Sequence, residues 1–154
     1  MGKEIEHKYL VVDEGYKAAT EASLRIAQGY LSDNPSSTVR VRIAGNQAWL
    51  TVKGRNVGDT RSEYEYAIPV ADAEEMLANL CKKPIIEKTR HIVVYHGKRW
   101  EVDEFGGALK GLTIAEIELP SSSYSYDIPP FAGRNVTGDP RYYNSNLTDK
   151  IPEE

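Results

Sequence analysis

Residues 38–54 read Thr38-Val39-Arg40-Val41-Arg42-Ile43-Ala44-Gly45-Asn46-Gln47-Ala48-Trp49-Leu50-Thr51-Val52-Lys53-Gly54. Two runs alternate with period two, and the turn chemistry of Ala44-Gly45-Asn46 separates them, so the stretch predicts a hairpin of strands Thr38 to Ile43 and Ala48 to Gly54. Side chains two apart share a strand face. One face therefore carries Arg40 with Arg42 and, on the second strand, Trp49, Thr51 and Lys53, while the other carries Val39, Val41, Ile43, Leu50 and Val52.

The same alternation continues outward in both directions. It predicts further strands at Lys3 to Val12, Ser23 to Leu31, Ser62 to Ile68, Ile85 to Tyr95, Lys98 to Phe105 and Thr113 to Leu119, eight in all. Asp33-Asn34-Pro35, Asn56-Val57-Gly58-Asp59, His96-Gly97 and Gly106-Gly107 supply the intervening turns. Two segments read as helices: Asp13 to Ala22, with Asp13 as candidate N-cap, and Asp72 to Leu80, where Met76, Leu77 and Leu80 fall on one side. From about residue 120 to 154 the composition shifts to Ser, Tyr, Pro, Gly and Asn, with one more short helix expected near Gly138 to Asn144 before a loose acidic end. Mainly antiparallel strands with few helices point to a closed barrel or a sandwich, and closure removes sheet edges.

Length and composition bound the rest. The chain has 154 residues, 19 Lys and Arg against 23 Asp and Glu, and a net charge of −4, which fits a single globular domain over 1–154. A mildly acidic chain is a poor general binder of nucleic acid, whose phosphates select basic surfaces. No apolar run reaches the roughly 18 residues of a membrane span, and Met1-Gly2-Lys3-Glu4 opens onto acidic sequence, so the expected address is the cytoplasm. With Cys81 the only cysteine, any metal must be held by oxygen or histidine.

The charged faces carry the functional signal. Glu4, Glu6 and Lys8 lie together, as do Arg40 with Arg42, Glu63 with Glu65, Lys88 with Arg90, Glu101 with Asp103, and Glu116 with Glu118. The ordinary reading of any one pair is a solvated face opposite a core-facing one. Taken together the set resists that reading, because like charges two apart repel unless counter-charges face them. A barrel with a charged lumen and an apolar outside covered by helices resolves the conflict. Such a lumen gathers about six cations and about eight carboxylates, too many to bury as mutual ion pairs without a ligand. Lys8, Arg40, Arg42, Lys53, Lys88 and Arg90 suit phosphate oxygens. The carboxylates lack His and Cys partners and suit hard cations such as Mg²⁺ or Mn²⁺. A metal-bound polyphosphate is neutralised from both sides.

These residues resemble the CYTH family, the triphosphate tunnel metalloenzymes. Its opening Glu-x-Glu-x-Lys stands here as Glu4-Ile5-Glu6-His7-Lys8, followed in order by Gln28-Gly29-Tyr30, Val39-Arg40-Val41-Arg42, Leu50-Thr51-Val52-Lys53-Gly54, Glu63-Tyr64-Glu65, Glu87-Lys88-Thr89-Arg90, Glu101-Val102-Asp103 and Glu116-Ile117-Glu118. The resemblance covers residues 4 to 118 and implies an eight-stranded antiparallel tunnel that acts on a small triphosphate with divalent metal. This short form looks most like bacterial hydrolases of inorganic tripolyphosphate; the alternatives are a class IV-type adenylate cyclase, a thiamine or nucleoside triphosphatase, and a polyphosphate-binding module without turnover. Neither nucleic acid nor membrane is an expected partner, and the chain is expected as monomer or homodimer.

The expected roles follow from phosphoryl-transfer chemistry, which asks for alignment, charge compensation and an activated water. Lys8, Arg40, Arg42, Lys88 and Arg90 clamp the phosphoryl groups; Glu4, Glu6, Glu116 and Glu118 hold a first metal; Glu63, Glu65, Glu101 and Asp103 bind waters or a second metal. Lys53, expected among cations, is the candidate base, paired with Tyr30 on what is expected to be a neighbouring strand. By parity His7 and His91 face outward, and Cys81 reads as a packed small side chain.

Overall fold

A computed structural model describes residues 2–147, so the acidic end at 148–154 lies outside the described residues. The strands are β1 (Gly2–Val11), β2 (Thr20–Ser32), β3 (Ser37–Ala44), β4 (Gln47–Gly54), β5 (Thr60–Ile68), β6 (Ile86–Tyr95), β7 (Lys98–Phe105), β8 (Thr113–Glu118) and β9 (Ala132–Asn135). Helices α1 (Tyr16–Ala19) and α2 (Val70–Asn79) interrupt them. The order β5-β4-β3-β2-β6-β7-β8-β1 closes on itself through a further β1–β5 pairing, which makes the expected eight-stranded antiparallel barrel.

The register answers the like-charge problem. Arg90 stands opposite Asp103, Lys8 opposite Glu116 and Lys53 opposite Glu63, so repulsion along a strand is offset by attraction across it. At the β6–β7 hairpin both turn residues take positive φ, His96 at 48° and Gly97 at 76°, the type I′ geometry whose twist matches the strands it joins.

Outside the barrel, α2 packs Ala73 and Leu77 against Val41 and Ala48, with Cys81 buried beside them. A second apolar cluster covers β1, β6, β7 and β8 through Tyr9, Val93, Trp100, Val102 and Ile117, capped by Tyr16 and Phe131. On the outer face of β5, Ile68 joins the α2 cluster, but Tyr64 and Tyr66, expected under a helix, are exposed.

Three expectations change. The first helix is only Tyr16–Ala19, because Thr20 to Ala22 continue as β2 paired with β6; Asp13 accepts a hydrogen bond from Gly15 N at 2.8 Å in a local turn and does not cap the helix. Strand β9, unmarked by alternation, pairs with the end of β1 at Tyr9 and Val11. The lumen is not charged throughout. At one end its strand faces turn apolar, and Ile86, Phe105 and Ile114 pack on Leu109, Leu112, Val136, Tyr142 and Leu147. The C-terminal segment, with 3₁₀ turns at Pro140–Tyr142 and Asn144–Asn146, closes that end.

Candidate active site

Above the apolar floor lies a cavity of about 170 Å³ walled almost wholly by charge. Glu4, Glu6, Lys8, Arg40, Arg42, Lys53, Glu63, Glu65, Lys88, Arg90, Glu101, Glu116, Glu118 and Tyr30 all line it, as expected. Asp103 does not; it sits beneath them in the wall, 1% exposed.

The β6–β7–β8 side is densely compensated. Asp103 accepts from Arg90 Nε at 2.8 Å and Nη2 at 2.9 Å, and pairs with Lys88 Nζ at 2.7 Å. Burial alone would raise the Asp103 carboxyl, but Lys88 and Arg90 hold it well below the usual carboxylate range. Both oxygens are thus committed, and Asp103 orients two cations where a metal or water ligand was expected. Burial, with Arg90 and Arg42 adding repulsion, pushes Lys88 down to about 7 against the pull of Asp103. Lys8 pairs with Glu116 at 3.4 Å and Glu6 at 3.7 Å.

The β3 side is under-compensated. Arg40 reaches Thr51 Oγ1 at 3.4 Å and Glu65 at 3.7 Å, yet its Nε is buried with no hydrogen-bond partner among the described residues. Arg42 donates from Nε to the neutral Gln28 Oε1 at 3.0 Å and has no ion pair among the described residues. Burial, then Arg40 and Arg90, push its guanidinium down to about 9. Since guanidinium keeps its proton at neutral pH, the unmet charge is expressed as affinity for an anion.

The carboxylates show the opposite imbalance. Burial, Glu116 and Glu4 push Glu6 up to about 8; Glu63 is raised by burial and Glu4, and Glu118 by burial, Glu4 and Glu101. Burial would also raise Glu4, but Lys53 overrides it and holds it at about 2. An all-oxygen set short of positive charge fits a hard divalent cation. Among the described residues no three of these groups yet converge on one point, because lysines hold Glu4, Glu6 and Glu116.

Lys53 differs from expectation. It lies between Glu4 at 3.1 Å and Glu63 at 3.3 Å, not among cations. Nor is Tyr30 on a strand next to it: β3 separates β2 from β4, and no hydrogen bond joins the two side chains. Both histidines face outward as parity predicts, His7 to Tyr126 at 2.6 Å and Asp59 at 2.9 Å, and His91 to Ser23 and Glu104.

Several lining residues escaped the sequence reading. Arg61 shares the face of Glu63 and Glu65, but β5 begins at Thr60 and not at Ser62, so its parity is legible and only the start of its strand is not. Tyr143, Asn144 and Ser145 arrive from the C-terminal segment; Asn144 Oδ1 accepts from Lys88 Nζ and Gln28 Nε2, both at 3.2 Å. No local pattern marks them. At the opposite mouth the lumen faces end in Leu24, Ile26, Ala44, Trp49 and Ile92.

Comparison with known proteins finds relatives over nearly the whole chain. An inorganic triphosphatase of Acetivibrio thermocellus is 50% identical over 147 residues, covering 96% of this chain and 94% of its own. One of Nitrosomonas europaea is 34% identical over 153 residues, covering 97% and 99%. A crystal structure of an inorganic triphosphatase superposes with a TM-score of 0.67 at 34% identity over 99% of each chain. Residues 2–144 match the CYTH domain, and the chain belongs to the CYTH domain family.

Proposed function

We propose that the chain hydrolyses inorganic tripolyphosphate to pyrophosphate and orthophosphate in the presence of Mg²⁺ or Mn²⁺. The observation that carries the reading is the split lumen: Arg40 holds a buried donor without a partner beside the uncompensated Arg42, while Glu6, Glu63 and Glu118 are carboxylates short of positive charge. A polyanion with its counter-cation satisfies both. The 50% identity to an inorganic triphosphatase over nearly the whole chain supports the same substrate.

In this reading Arg40 and Arg42 grip phosphate oxygens, and Lys88 and Arg90, fixed by Asp103, complete the clamp together with Lys8. Glu4, Glu6, Glu116 and Glu118 would hold a divalent cation, with Glu63, Glu65 and Glu101 bracing waters or a second one; such a cation would offset phosphate charge. Lys53 and Tyr30 approach the attacking water from the two sides of β3 and orient it. The water oxygen bonds to a terminal phosphorus, the P–O bridge opposite it breaks, and the water's two protons are shared out between the two products. As phosphate draws Lys8 and Lys53 toward itself, the carboxylates they now occupy become free for metal.

Phosphorus NMR on the products tests the reaction: one pyrophosphate and one orthophosphate per tripolyphosphate supports it, and unchanged tripolyphosphate with metal present refutes it. The apolar rim at Leu24, Trp49 and Ile92 leaves room for an organic group on the terminal phosphate, so ATP and thiamine triphosphate are the competing substrates, with cyclic AMP as the signature of a cyclase.

A further inference from the structure

Arg61 and Tyr143 line three spaces at once: the tunnel, a narrow pocket beside Glu4 and Lys8, and an outer cavity of about 290 Å³ walled also by Thr38, Arg55, Asn56 and Ser145. They are the partition between the lumen and the surface, on the side the apolar floor does not fill. Tyr143 is held there, its hydroxyl accepting from Asn56 Nδ2 at 2.8 Å and donating to Gly138 O at 3.2 Å.

Arg61 is half-buried and has no ion pair among the described residues. Its Nε donates to Gly54 O at 3.1 Å and its Nη2 to Thr38 Oγ1 at 3.4 Å, which leaves further donors of the guanidinium fork unused. Just outside, Arg55 donates to Ser36, and Asp33, the carboxylate on that cavity wall, is already matched by Lys82 at 2.9 Å. A small anion leaving the tunnel on this side therefore passes from one arginine to the next. The opposite mouth, inside its apolar rim, sets Glu65, Glu101, Glu116 and Glu118 beside Arg42, Arg90, Lys98 and Arg99, with Arg90 and Arg99 paired to Glu101 at 3.3 and 3.4 Å. That mouth carries both signs and suits an anion that keeps its cation.

We propose that Arg61, with Thr38 and Tyr143, forms an orthophosphate subsite through which the smaller product leaves the tunnel by the outer cavity. The proposal rests on the tripolyphosphatase reading above. Hydrolysis there yields one compact phosphate and one larger pyrophosphate; the first fits the arginine passage, and the second keeps its cation and leaves by the opposite mouth.

The test is product inhibition of tripolyphosphate cleavage by inorganic phosphate and, separately, by pyrophosphate, in wild type, Arg61→Gln and Arg61→Lys. Arg61→Gln should raise the inhibition constant for phosphate about tenfold or more and that for pyrophosphate less than about threefold, with Arg61→Lys recovering part of the loss. Equal weakening of both products, or unchanged phosphate inhibition, overturns the subsite. Should wild type leave tripolyphosphate intact, the functional reading fails separately, and calorimetric titration with inorganic phosphate still decides the subsite. Phosphate binding lost in Arg61→Gln supports it, and equal affinity in the two proteins overturns it.

Discussion

Asp103→Asn isolates the energetic logic of the charged wall. Asp103 is 1% exposed and receives two donors from Arg90 and one from Lys88, at 2.7 to 2.9 Å. The asparagine keeps the shape but removes the one charge that both cations share, and turns an NH₂ toward them. Breaking a buried ion pair from one side costs about 3–5 kcal/mol, which at this chain length lowers the melting temperature by roughly 6–20 °C. Urea unfolding followed by tryptophan fluorescence reads the loss directly, since Trp100 is fully buried on the strand that carries Asp103. The carboxyl is held below its ordinary value, so its contribution is complete above the unfolded-chain pKa near 4 and is lost as pH falls below it. Wild type should therefore lose stability on acidification more steeply than the variant. Tripolyphosphate at about a hundred times its Kd restores roughly 2.7 kcal/mol to either protein, because it binds only the folded state. A loss below about 1 kcal/mol, the range of a solvated pair, would refute the view that this wall is a dry electrostatic unit.

Four other substitutions bear on neighbouring parts of the site and its floor. Arg40→Ala removes the partnerless donor and should lower both affinity and turnover for tripolyphosphate, by about 1.5–3 kcal/mol in kcat/KM; wild-type kinetics would remove Arg40 from the site. Lys53→Ala should lower kcat more than it raises KM if Lys53 orients the water, whereas affinity loss with turnover retained makes it a clamp. In the closing segment, Leu147→Ala should destabilise by about 2–5 kcal/mol, while Tyr142→Phe, which removes a buried hydroxyl without a partner, should be neutral or stabilising in the same melts.

What the chain disclosed in advance was whatever period two encodes. Alternation at Arg40 and Arg42, at Lys88 and Arg90, and at the paired carboxylates placed the strands, their faces and the charged lumen, and it turned His7 and His91 outward. Two things lay beyond that signal. Charge partners depend on strand order: Lys53 was expected among cations, and the β4–β5 register and the reach of Glu4 put it between carboxylates. The other is the floor. Tyr142, Asn144 and Leu147 reach the lumen from a segment without alternation, and Ile86, Phe105 and Ile114 became core only because that segment packs on them. Arg61 falls between: its parity matches Glu63 and Glu65, but alternation marks β5 only from Ser62, two residues inside its true start at Thr60.

The most direct test of the tunnel hydrolase is phosphate release from tripolyphosphate, ATP and thiamine triphosphate with Mg²⁺ or Mn²⁺, beside a Glu4→Gln, Glu6→Gln double variant. The account predicts metal-dependent release that is fastest with tripolyphosphate and abolished in the variant. Release that survives the double substitution, or that needs no metal, would contradict the assignment of the lumen carboxylates.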